Sequence, residues 1–185
     1  MNISSDSLAT ELRRLWHEEL FSTRIYPDFP FRPRGWRAVA FNRDLHGNAR
    51  IPIADWKRLL DVLRTHSTDE VALLLTPYAD LNGLDPPQPI VLPLAGDAVV
   101  SQFLDREVYF PEFFLSGESR SWAVRGDSDF SIVGGEDELM SVFIDVMGGA
   151  SSVLERMKEE FGVGDCDEDR EMRIYLESLL AINRP

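Results

Sequence analysis

The sequence predicts an α+β fold: a mainly antiparallel sheet with helices packed on one face and a helical C-terminal third. Three observations lead there. Short strand-like runs follow one another without the regular strand–helix alternation of a doubly wound sheet. The stretch "SWAVRGDSDFSIVGG" reads as two strands about a tight, aspartate-rich turn. From Glu136 onward, three helical patterns succeed one another. At 185 residues the chain suits one well-cored domain, spanning 1–185.

The elements follow in order. "SSDSLATELRRLWHEELF" opens on helix-capping residues, and Leu8, Leu12, Leu15, Trp16 and Leu20 recur at helical spacing, which predicts an amphipathic helix. The prolines and aromatics of "STRIYPDFPFRPRG" suit an extended, packed loop. "WRAVAF" and, more weakly, "ARIPI" alternate on either side of "NRDLHGN", which reads as a hairpin. "ADWKRLLDVLRTH" sets Trp56, Leu59, Leu60 and Leu63 on one helical face. The apolar run "EVALLLTP" predicts a central strand buried on both faces. "DLNGLDPPQP" is a loop, and "IVLPL" an edge strand by virtue of its proline. "GDAVVSQFLDREV" reads as a short helix capped by Asp97, and "YFPEFFLS" as a strand. Beyond the hairpin, "EDELMSVFIDVM" is a helix with its acids in the first turn, where the macrodipole favours them. "GGASSVLERMKEEFG" starts a second helix after a glycine break with a serine cap, and "DEDREMRIYLESLLA" forms the third.

Charge narrows the function classes. The formal net charge of -13 argues against non-specific nucleic-acid binding and against anionic membranes. It is unevenly spread. Residues 1–60 hold ten Lys/Arg and seven Asp/Glu, a net of +3, while residues 61–185 hold nine and twenty-five, a net of -16; together they recover -13. Cys166 is the one cysteine, so no intramolecular disulfide forms. The N-terminus carries acids and no signal-like apolar run, and no stretch approaches the ~20 apolar residues of a membrane span. The expectation is a cytoplasmic protein.

No catalytic, cofactor or metal signature stands out. Asp127 and Asp129 in "GDSD" are what a hairpin turn wants, since their side chains bond neighbouring backbone; a metal would need further oxygens at fixed positions. Asp165, Asp167 and Asp169 match the first positions of a calcium loop, but Arg170 stands where glycine is needed and Leu176 where the closing glutamate belongs. The reading there is an acidic helix start, with Asp167 or a nearby acid as cap. His17, His46 and His66 lie at no metal-ligand spacing. Cys166 is ringed by Asp165, Asp167 and Glu168, whose charge disfavours a nucleophilic thiolate. "MGGASSV" could turn backbone N–H groups to a phosphate, yet no lysine accompanies it. Arg24, Arg32, Arg34, Arg37, Arg43, Arg50, Lys57 and Arg58 interleave with aromatics, a pattern of single-strand nucleic-acid sites; internal pairing with the acidic C-terminal helices fits the net charge better.

What remains is an acidic surface. Thirteen acids lie in the last fifty residues. Such a face steers a basic protein partner. Glu159, Glu160, Asp167, Glu168 and Asp169, near the ends of two successive helices, are the candidate partner-binding residues. The segment "YFPEFFLSGESRSWAVRGDSDFSIVGGEDELMSVF" resembles a pattern of bacterial toxin-immunity proteins, in which a Trp-bearing strand, a turn and a second strand ending in Gly lead into a helix. The resemblance spans residues 109–143. It implies a non-enzymatic inhibitor, with no cofactor, that occludes a basic toxin. Two other readings stand beside it: an adaptor or self-assembling structural protein, and an enzyme whose site is dispersed in sequence.

Overall fold

The structure, a computed structural model, describes residues 14, 16, 18–22, 25–75, 90–104 and 112–182. Its strands are β1 (Trp36–Asn42), β2 (Val71–Leu75), β3 (Ile90–Pro93), β4 (Phe113–Gly117), β5 (Trp122–Gly126) and β6 (Phe130–Glu136). They form one sheet in the order β1-β6-β5-β4-β2-β3, every neighbouring pair antiparallel. The helices are α1 (Ile53–His66), α2 (Ala98–Leu104), α3 (Asp137–Val146), α4 (Ala150–Glu160) and α5 (Arg170–Leu180). The α+β class with a helical C-terminal third is thus the fold of the chain.

Alternation decides which face each strand residue covers. Phe41, Leu74, Phe113, Leu115, Trp122, Val124 and Val133 share one face by cross-strand register. Helices cover it: Trp56 of α1 stacks on Phe103 of α2 at 5.3 Å, and Phe103 meets Phe113 edge-on at 4.9 Å. The α3 helix packs against α1. The opposite face carries Trp36, Phe114, Phe130 and Ile132. There Phe21 and Phe31 of the N-terminal segment meet Phe114 and Trp36, and Tyr175 of α5 meets Phe130. No Cβ fits at Gly134, where the Phe31 ring would lie 2.3 Å away. The buried residues of both faces form a single apolar cluster.

Several sequence expectations hold. The two strands about the aspartate-rich turn are β5 and β6, paired antiparallel; Trp122 is fully buried on β5, an internal strand, and shares a face with Val124, opposite Ala123 and Arg125. The "IVLPL" run is an edge strand, and the three C-terminal helices are present. Leu8, Leu12 and Leu15, His17, Arg24 and the "DLNGLDPPQP" loop lie outside the described residues; Arg14, Trp16, Glu18 and Glu19 of the first expected helix are helical.

Three expectations are corrected. β1 pairs β6 rather than "ARIPI". Residues Arg43–Ala49 instead wind into a 3-10 helix whose start is capped by the Asn42 side chain, which accepts the Asp44 N–H at 3.1 Å. Asn and Asp favour such a cap as much as a hairpin turn. The "EVALLLTP" strand is next to the edge rather than central, and Val71 and Leu73 are only half-buried. Gly149 occupies the cap position before α4, with no serine cap bond; the break is made by Gly148 and Gly149, both at positive φ.

Candidate functional site

The acidic end is built by α4, α5 and the connection between them. Helix α4 buries Val153 and Met157, which leaves Glu155 and Glu159 on its outer side. Helix α5 buries Tyr175, Leu176 and Leu179 and exposes Glu171 and Glu177. Gly162, at φ 64, ends α4, and the Val163 N–H returns to the Lys158 carbonyl at 2.8 Å. Glu155, Lys158, Glu159, Val163 and Asp165 line a shallow cleft of about 440 Å3 at this joint.

The five candidate acids divide into two groups. Glu159, Asp167 and Glu168 are exposed. Asp169 clasps the connection: its carboxylate accepts the Cys166 thiol at 3.0 Å and the Gly164 N–H at 2.7 Å. The thiol bond first, then the Gly164 N–H, with the Arg173 charge nearby, holds its carboxyl below the ordinary range. Asp169 thus closes a loop, and Asp167 makes no cap bond at the helix start.

Glu160 belongs to the fold's interior edge. Its carboxylate accepts the Asn42 N–H at 3.0 Å, and its carbonyl accepts the Asn42 side-chain amide at 2.9 Å. His46 Nε2 lies 3.1 Å from the same carboxylate, and Arg156 Nε lies 3.9 Å away. Arg156 reaches on to buried Asp55 at 2.9 Å, where Arg58 also binds at 2.6 Å, and its guanidinium lies over the Phe41 ring at 5.4 Å. This chain of charges ties α1, β1, the 3-10 helix and α4 together. Sequence reasoning missed it because its members lie far apart along the chain and carry no motif.

The hairpin aspartates behave as turn residues. Asp127 Oδ1 accepts the N–H groups of Asp129 at 2.9 Å and Phe130 at 2.8 Å. A second buried carboxylate, Asp69, is saturated by donors: Ser67 Oγ, the Ser119 N–H and Oγ, and the Trp122 indole N–H, all within 2.9 Å. Burial alone would raise its carboxyl; the Ser119, Ser67 and Trp122 bonds outweigh that and hold it below the usual carboxylate range.

Three arginines of the N-terminal third pair internally, two of them near home and one with the C-terminal third. Arg32 donates to the Phe21 carbonyl, Arg58 pairs with Asp55, and Arg37 reaches Asp137 at the start of α3. Arg34 and Lys57 are exposed. Among the described residues no three His, Cys, Asp or Glu side chains group as a metal site would require, and no helix is long and apolar enough to cross a membrane. Compared with known proteins, the chain matches no family model, no curated protein and no solved structure.

Proposed function

We propose that this chain is a non-enzymatic binding protein of the bacterial cytoplasm, an immunity-type inhibitor whose acidic helical end occludes a basic toxin. One observation carries the reading: Glu155, Glu159, Asp165, Asp167, Glu168 and Glu171 are all exposed along α4, the connection and the start of α5. Glu155 lies 3.8 Å from Lys158 and Asp165 lies 3.9 Å from Arg173, but pairs this exposed contribute little to the fold, and the acids outnumber these cations. The acids build a negative potential that speeds encounter with a positive surface. The order of β5, β6 and α3 is also the strand–turn–strand–helix order on which the resemblance to immunity proteins rests.

The test uses the products of the genes flanking this one, presented to wild type and to a Glu159→Lys, Asp167→Lys, Glu168→Lys variant. These three are chosen because Glu160 and Asp169 are engaged in internal bonds. The reading expects a basic flanking product to be captured by wild type and poorly by the variant, with capture by wild type weakening as salt rises. If no flanking product binds, or if both proteins capture it equally at low and high salt, the inhibitor reading fails.

A further inference from the structure

A pocket of about 340 Å3 opens where separate parts of the chain converge beside the acidic end. Tyr26 comes from the N-terminal segment, Phe130 from the start of β6, Phe161 from the end of α4 and Met172 from α5. Phe161 stacks on Phe130 at 4.9 Å, and Tyr26 lies nearly parallel to Phe130 at 6.3 Å. Asp44, from the first turn of the 3-10 helix, and Asp129, from the β5–β6 turn, are exposed and line it together with Asn42 at the end of β1; none of the described lining residues is basic.

This combination has a definite chemistry. Aromatic faces attract a cation through the ring quadrupole. Carboxylates at the same pocket add charge-assisted hydrogen bonds to N–H donors. A guanidinium satisfies both at once, because it is planar, weakly hydrated and forked; an ammonium is a compact point charge that holds its water. The two turn aspartates have separate tasks here. Asp127 gives its Oδ1 to the turn's backbone, while the Asp129 side chain accepts only a local Ser128 hydroxyl bond at 3.0 Å among the bonds seen for it, so the turn does not depend on it.

We propose that this pocket receives an arginine side chain of the basic protein partner, an inference that rests on the binding reading above. The pocket is then the specific anchor, and the exposed acids of α4 and α5 supply the long-range attraction.

The probe is Nα-acetyl-arginine methylamide, followed by amide chemical shifts of the whole chain at constant ionic strength. The control is the citrulline analogue, which keeps the shape and loses the charge. The arginine probe should produce saturable shifts centred on Asp44, Asp129, Phe130 and Phe161, and citrulline should not. Asp129→Asn should weaken binding by about tenfold, the loss expected when a charged acceptor becomes neutral. Phe161→Leu, which keeps apolar volume, should also weaken it while leaving the shifts of distant residues in place. Equal shifts from both probes, or shifts scattered over the acidic helices, would overturn the pocket. Because the probe is a small molecule, the result does not depend on finding the partner. Salt-sensitive capture without arginine binding would remove the pocket and leave the acidic face. Arginine binding without such capture would do the reverse.

Discussion

Trp122 and Asp69 depend on one another. The indole is fully buried and donates its N–H to the carboxylate at 2.9 Å, and Gly117 leaves the room: a Cβ there would lie 1.9 Å from Asp69 Oδ2. Trp122→Ala removes the ring and takes one donor from the Asp69 carboxylate, so it should cost roughly 3–5 kcal/mol. The denaturation midpoint measures this, and a midpoint near wild type contradicts the packing described. Asp69 adds a pH dependence of known sign. Its folded carboxyl binds a proton less readily than the unfolded one. As pH falls below about 5, the unfolded state takes up that proton first, so the stability Asp69 contributes is present near neutrality and lost in acid. Asp69→Asn should therefore be clearly less stable than wild type at neutral pH, and the gap should narrow steadily toward pH ~3. A gap that stays constant would show that the charge does not matter there.

An edge strand is a liability, and β1 is an edge. Helix α4 covers it with two side chains one helical turn apart: Met157 Sδ accepts the Ala40 N–H at 3.2 Å, and the Glu160 carboxylate accepts the Asn42 N–H. Glu160→Ala leaves that N–H and His46 without their acceptor and should cost about 1–3 kcal/mol, whereas Glu160→Gln keeps an acceptor and should cost less. Thermal melts of the two variants decide the matter; equal losses would mean that the bond to Asn42 is not what Glu160 provides. None of this was legible in the sequence, since Ala40 and Met157 are 117 residues apart and neither belongs to a motif. Periodicity and turn chemistry made the local elements readable: α1, the β5–β6 hairpin and the C-terminal helices. The false hairpin at "NRDLHGN" arose because Asn42 caps a 3-10 helix with the same chemistry that begins a turn. The true partner of β1 is a strand about a hundred residues on, a pairing chosen by burial of both faces rather than by any local signal.

At the scale of the whole molecule, the sequence made the charge plain but not its division of labour. A net of -13 and its concentration in the last two-thirds are countable, yet the count cannot tell Glu159, which faces water, from Glu160, which holds an edge strand. Nor could it bring Tyr26, Asp44, Asp129 and Phe161 to one pocket, because that needs the sheet order and the return of α4 and α5 across β1. On the proposed function, the exposed acids capture a basic partner. The most direct measurement is the association rate of any basic flanking gene product that wild type captures, with wild type and with the Glu159→Lys, Asp167→Lys, Glu168→Lys variant, each across a range of salt. Steered association exceeds the unsteered rate by roughly tenfold to a thousandfold and falls steeply with ionic strength. A fast, salt-sensitive rate is expected for wild type and a slower, flatter one for the variant, with melting temperatures nearly equal because exposed charges contribute little to stability. Identical rates with identical salt dependence would contradict the proposed function.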